Sequence, residues 1–220
     1  MLERERDQVA EASRRLAAEG LVPGTAGNLS ARSGDHVAIT PTGAVLAELQ
    51  PAQVTVVDLE GRVAEGEFAP TSEVELHLGV YRRFDAGAVV HTHSPMATAL
   101  SCVLDELPCV HYSMLLLGGT VRVAPYRTFG TPELAETVLD ALEGRTAALM
   151  ANHGAINFGA DMAGAADAAL LLEWASTVYW NAAQIGEPRT LDEEERAAVV
   201  EAAARRSYGT MRSTSKEEDA

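Results

Sequence analysis

Three histidines and a glutamate give this chain the makings of a Lewis-acid metal site. His91 and His93 stand one residue apart at the end of the apolar run Ala88-Val89-Val90. In a β-strand, residues i and i+2 point to the same face, so the two imidazoles can hold one ion. His153, in Met150-Ala151-Asn152-His153-Gly154, closes a second apolar run far along the chain. Glu73 opens a helix just before the first run. Three neutral nitrogen donors and one carboxylate suit a hydrolytic or Lewis-acid centre. Three histidines leave a coordination position open, which Glu73 can fill at rest or flank as a base. Zn2+ suits this donor set, and Mn2+ or Co2+ is compatible with it. His36, His77 and His111 have no partner at metal spacing and read as packed or hydrogen-bonded residues.

Anion-binding candidates accompany the histidines. Gly24-Thr25-Ala26-Gly27-Asn28 and Thr40-Pro41-Thr42-Gly43 are loops of small residues with backbone N–H groups to spare. Thr71-Ser72 sits at a helix start, where unpaired donors and the macrodipole favour an anion. Each alone reads as a turn or cap. Three of them beside a metal site suggest a phosphorylated substrate.

The elements that must position these residues follow from periodicity. Residues 2–19 read as an amphipathic helix, with Leu2, Val9, Ala12 and Leu16 at near-helical spacing. Hairpins are expected around Ser33-Gly34-Asp35 and around Glu60-Gly61. Helices are expected over 74–84, 95–103, 132–142, 162–184 and 191–206. Strands are expected at 88–91, 110, 121–124, 146–151 and 155–158. Early hairpins exclude a purely parallel, doubly wound sheet, so the expectation is an α/β fold, a mixed sheet with helices on both faces. No repeat or linker divides the chain. Residues 1–209 read as one domain and 210–220 as a polar, frayed tail.

Composition narrows the function classes. The chain has 220 residues, 47% of them hydrophobic, enough for a core. A net charge of −15 argues against nucleic acid or anionic membrane as a partner, and points to a solvated acidic surface. No apolar run is long enough to span a membrane. The charged N-terminus lacks the apolar stretch of a secretory signal. Cys102 and Cys109 are not in a C-x-x-C arrangement and suit a reducing compartment, so a cytoplasmic location is expected.

Six motifs occur in order: Gly24-Thr-Ala-Gly-Asn28-Leu-Ser30, Ile39-Thr-Pro-Thr42-Gly43, Pro70-Thr-Ser72-Glu73, Val89-Val-His91-Thr-His93, Ala124-Pro-Tyr126 with Thr128-Phe-Gly-Thr131, and Asn152-His153-Gly154. Together they resemble the class II aldolase/adducin family, and most of all its L-fuculose-1-phosphate aldolase branch, over nearly the whole chain. The resemblance implies a three-layer α/β/α fold with a mixed, largely antiparallel central sheet. It implies Zn2+ held by His91, His93 and His153, with Glu73 as acid/base and occasional fourth ligand. Asn28, Thr42, Gly43, Thr71 and Ser72 would hold the substrate phosphate. The family usually has serine in place of Thr71, so the hydroxyl is kept and the pocket slightly altered. His111-Tyr112 matches a pair whose tyrosine reaches the site of an adjoining subunit, and Arg206-Ser-Tyr208-Gly matches a tyrosine that closes over the substrate. A four-fold symmetric homotetramer with interfacial sites is implied.

The implied reaction is reversible cleavage of L-fuculose 1-phosphate, or a related 5-deoxypentulose 1-phosphate, to dihydroxyacetone phosphate and an aldehyde through a metal-stabilised enediolate. Such chemistry needs no Schiff-base lysine, and the only lysine is Lys216. Within the family, a pentulose-phosphate 4-epimerase is the runner-up, although that branch carries aspartate in place of Glu73. A methylthioribulose-phosphate dehydratase is a third reading. An adducin-like binding domain without chemistry would lack the three histidines.

Overall fold

A computed structural model describes residues 1–206; Tyr208 and the expected polar tail lie outside the described residues. The strands are β1 (Asn28–Ser33), β2 (His36–Ile39), β3 (Thr55–Asp58), β4 (Val63–Glu65), β5 (Ala88–Thr92), β6 (Glu106–Leu107), β7 (Val121–Ala124), β8 (Ala147–Met150) and β9 (Gly154–Gly159). The helices are α1 (Glu3–Ala18), α2 (Val74–Arg83), α3 (Pro95–Ser101), α4 (Pro132–Ala141), α5 (Met162–Ile185) and α6 (Glu193–Arg206). The strands form one sheet in the order β4-β3-β2-β1-β5-β9-β8-β7-β6. Among the described residues only β7 and β8 run parallel. The expected mixed, largely antiparallel sheet is therefore present, with helices on both of its faces.

Strand alternation sorts side chains between two cores. Leu29 and Ala31 of β1, with Ala88 and Val90 of β5, pack against α1 and α5. Val89 of β5 and Ile156 of β9 face the other way, against Leu76, Val80 and Tyr81 of α2 and Leu134 and Val138 of α4. Even-numbered residues of β1 and odd-numbered residues of β5 thus look toward α2. Asn28, Ser30 and His91 obey this parity, and that is why polar residues are buried on that face.

One expected strand is absent. Residue 110 lies outside any strand; the short strand is Glu106–Leu107, paired with Val121 and Arg122. Pro108 follows at once and brings no N–H to extend the ladder. Val110 instead packs at the edge of a third apolar cluster built around Leu107, Met114, Leu117 and Leu149. The remaining expected elements are present, their ends displaced by no more than two residues.

Candidate metal centre and anion cavity

β5 ends at Thr92, which places His91 inside the strand and His93 just past it. The antiparallel neighbour β9 pairs Thr92 with Ala155. The turn that joins β8 to β9 therefore lies beside His93 and carries His153. Asn152 bends that turn with a left-handed backbone, φ 55°. Gly154 follows because nothing larger fits: a Cβ there would stand 2.2 Å from the Thr92 carbonyl oxygen. Gly154→Ala is expected to destabilise the fold by about 1–3 kcal/mol through overpacking and to displace His153. Denaturant unfolding checks it, and wild-type stability would contradict this account of the turn.

The ligand atoms of His91, His93 and His153 lie within 4.8 Å of one another. His91 Nε2 and His93 Nε2 are 3.0 Å apart. His91 Nδ1 donates to the Ala155 carbonyl at 2.9 Å, which turns Nε2 inward, as the outer partner of a metal-bound histidine does. Burial, reinforced by the nearby charge of His91, pulls His93 and His153 down to about 4, so both are neutral with lone pairs available near pH 7.

Glu73 occupies the position before α2 and aims into the triad. Its Oε2 stands 3.2 Å from His91 Nε2, and its Oε1 stands 3.5 Å from His153 Nε2. Burial opposes its ionisation. The His91 charge and hydrogen bonds from His91 and Asn28 outweigh that penalty and hold the carboxyl well below its usual range. Oε1 is buried and accepts no hydrogen bond from the described residues. An orphaned carboxylate oxygen beside three converging imidazole nitrogens is a poor arrangement by itself and a good one around a cation. The residues fit a divalent metal.

The anion candidates meet at the same place. An isolated bridge between Pro41 and Pro70 ties two of the loops together. Thr42 N–H donates to the Ala69 carbonyl, and Thr71 N–H donates to the Thr40 carbonyl, both at 3.0 Å. Gly27 lets the third loop approach β5; with φ 84°, a Cβ there would stand 2.8 Å from the His91 carbonyl. A cavity of about 290 Å³ results, lined by Asn28, Thr42, Gly43, Thr71, Ser72, Glu73, His93 and His153 among others. All five expected phosphate residues thus share one cavity with His93, His153 and Glu73. Two are already engaged: Thr71 Oγ1 accepts from Glu73 N–H at 3.3 Å, and Asn28 Nδ2 donates to Glu73 Oε2 at 2.9 Å.

Tyr112 does not line this cavity in its own chain. It begins a 3-10 turn, Tyr112–Leu117, and its ring stacks 4.3 Å from that of His111, which in turn meets Trp174 edge-on. His36 opens β2 and lies outside the site, as expected. Sequence reasoning passes over one residue of this cavity. Among the described residues Arg127, between Tyr126 and Thr128, is the one Lys or Arg side chain lining the cavity. His77, expected to be packed or hydrogen-bonded, is both, with Asn28 and Ser30 against its two ring nitrogens.

Comparison with known proteins agrees with this geometry. Residues 7–180 match the family described as Class II Aldolase and Adducin N-terminal domain. A 5-methylthioribulose-1-phosphate/5-deoxyribulose-1-phosphate aldolase of Rhodospirillum rubrum is 41% identical over 89% of each chain. A 5-deoxy-D-ribulose 1-phosphate aldolase of Bacillus thuringiensis serovar kurstaki is 39% identical over 89% of this chain and 93% of its own. A solved L-fuculose 1-phosphate aldolase superposes with a TM-score of 0.86 at 36% identity, covering 90% of this chain and 95% of the other. The chain belongs to the class II aldolase and adducin N-terminal domain family, among its class II aldolases, which are lyases.

Proposed function

We propose that this protein is a zinc-dependent aldolase that cleaves a ketose 1-phosphate, L-fuculose 1-phosphate or a 5-deoxypentulose 1-phosphate, to dihydroxyacetone phosphate and an aldehyde. One observation carries the reading: His93, His153, a glutamate with an orphaned oxygen and three candidate anion-binding segments line one cavity, with His91 buried directly behind, its Nε2 3.0 Å from His93 Nε2. The names of the relatives above support the substrate class.

His91, His93 and His153 would hold the metal, with Glu73 as an occasional fourth ligand. When bound there, the ion supplies Lewis-acid stabilisation of charge that develops on substrate oxygens. Asn28, Thr42, Gly43, Thr71 and Ser72 would bind the phosphate, through the hydroxyls of Thr42, Thr71 and Ser72, the backbone N–H groups of Gly43 and Ser72 and the second N–H of Asn28. In the condensation direction, Glu73 Oε1 takes the proton from the carbon beside the ketone. That carbon forms the new bond to the aldehyde carbon, and the aldehyde oxygen gains a proton. Cleavage reverses each step: the hydroxyl loses its proton, the carbon–carbon bond breaks, and Glu73 returns a proton to carbon.

Tyr112 of an adjoining copy would exchange the hydroxyl proton, within a homotetramer whose sites lie between subunits. Tyr112, Leu116 and Trp174 are exposed outside their own cavity, in keeping with such an interface. Both cysteines are free, which suits a cytoplasmic protein. Among the described residues no helix is long and apolar enough to cross a membrane.

The test is a panel of ketose 1-phosphates, including 5-deoxyribulose, 5-methylthioribulose and L-fuculose 1-phosphates, assayed for dihydroxyacetone phosphate release with and without chelator. Chelator-sensitive release from at least one is expected. Release that ignores the chelator, or none from any substrate, would defeat the reading.

A further inference from the structure

His77 is fully buried, and both of its ring nitrogens are engaged. Nε2 stands 2.5 Å from Asn28 Oδ1, and Nδ1 stands 2.7 Å from Ser30 Oγ. Ser30 Oγ is also 2.7 Å from the Tyr81 hydroxyl. Asn28 Nδ2 in turn reaches Glu73 Oε2. Two periodicities interlock here. Residues 73, 77 and 81 recur every four along α2 and its first cap, and residues 28 and 30 recur every two along β1.

The proton on each bond can be assigned. An ionised carboxylate only accepts, so Asn28 turns its N–H2 toward Glu73 and its oxygen toward His77. An amide oxygen only accepts, so His77 Nε2 carries a proton. Burial, with the charge of His91, pulls His77 down to about 3, so the ring is neutral and Nδ1 bears a lone pair. Ser30 must then donate to Nδ1, and Tyr81 must donate to Ser30. Burial pushes the Tyr81 phenol up, which keeps that proton in place. Four hydrogen bonds therefore run one way, from Tyr81 through Ser30, His77 and Asn28 to Glu73. Each donor polarises the next.

We propose that His77 is a positioning residue for the aldol reaction, locking the Asn28 amide so that it donates to Glu73 Oε2 and leaves Oε1 as the oxygen that moves the proton. The proposal rests on the reading of Glu73 as the acid/base. Apolar side chains would fill this space without the desolvation that four buried polar groups incur. What the polar chain adds is orientation. Without the His77 N–H, the Asn28 oxygen is buried with no donor, and nothing prevents the amide from turning its oxygen toward the carboxylate.

Two measurements on the full-length protein test this. The first is 15N NMR of the histidine rings, with His77 assigned by its loss in His77→Gln. A neutral ring protonated at Nε2 near pH 7 is expected. An Nδ1–H tautomer or an imidazolium would overturn the chain whatever the activity. The second is a kinetic cycle of His77→Leu, Asn28→Ala and the double variant. His77→Leu should lower kcat about 10-fold, a size usual for coupled neighbours, with KM within about twofold. It should cost nothing further when Asn28 is already alanine. His77→Gln, whose amide N–H can reach the same oxygen, should recover most of kcat, and it decides the matter if His77→Leu fails to fold. Multiplicative losses in the double variant, a rise in KM alone, or no recovery with glutamine would each overturn the proposal. A wild-type enzyme inactive on every ketose 1-phosphate would sink the aldolase reading instead, while the tautomer would still decide the direction of the chain.

Discussion

Glu73→Gln is expected to lower kcat about 10²- to 10⁴-fold, the range for a positioned acid/base, while the protein still folds and still binds metal through its three histidines. The reason is local. Glutamine keeps the shape and can still accept the Asn28 N–H, so the bond to Asn28 Nδ2 survives the change. It cannot take up a proton near neutral pH, and its NH2 stands where the orphaned oxygen was, so the proton-moving step is lost. The loss should fall on kcat, because Glu73 acts on a carbon–hydrogen bond and the phosphate is held by other residues. Solvent hydrogen exchange at the carbon beside the ketone of dihydroxyacetone phosphate should fall with it, since that exchange isolates the Glu73 step. Nearly full activity in Glu73→Gln, measured beside an unchanged metal content, would remove Glu73 from the acid/base role.

Removing one imidazole should do more. His93→Ala leaves two nitrogens and a carboxylate, and metal affinity should fall by more than the 10- to 100-fold typical of changes to outer partners. Wild-type protein with metal at about 100 times its Kd gains about 2.7 kcal/mol of stability. For a chain of this size that corresponds to about 5–10 °C in Tm. His93→Ala should lose both that thermal shift and the cleavage activity, and a chelator should bring the wild type to the same point. Calorimetric melting with and without Zn2+, paired with metal analysis, is the measurement. A His93→Ala protein that keeps a full metal complement and a metal-dependent Tm would show that the triad is not the ligand set. His91 is the less informative target. It is fully buried and bonded to the Ala155 carbonyl, so its replacement would disturb the β5–β9 pairing as well.

Much of this site could be read before any coordinates. The relation of His91 to His93 is a matter of strand period, because backbone sterics place alternate side chains on one face. The start of α2 at Thr71-Ser72-Glu73 is legible from residue type alone. Val110 shows where local propensity does not decide. A lone β-branched residue between Pro108 and His111 carries a propensity but has no ladder to join, and tertiary packing overrode it.

His77 shows a different limit. Its identity and spacing were visible, yet its role depends on Asn28 and Ser30, which lie on a strand that becomes its neighbour only in the folded sheet. Asn28 shows the same thing from the other side. As a loop residue after Gly27 it reads as a phosphate candidate, and the fold in addition turns one of its N–H groups to Glu73.

The sequence by itself determined the kinds of donor, the short-range spacings and the class of chemistry, because those follow from side-chain type and from periods of two and four residues. Tertiary structure alone decided that β1, β5 and the β8–β9 turn lie side by side and that α2 crosses the face they share. Sheet order and register are set by burial summed over the whole chain, so no local window contains them. That is why His153, Asn28 and Glu73 could be named separately but their convergence, and the hydrogen-bond chain behind Glu73, appear only in the fold.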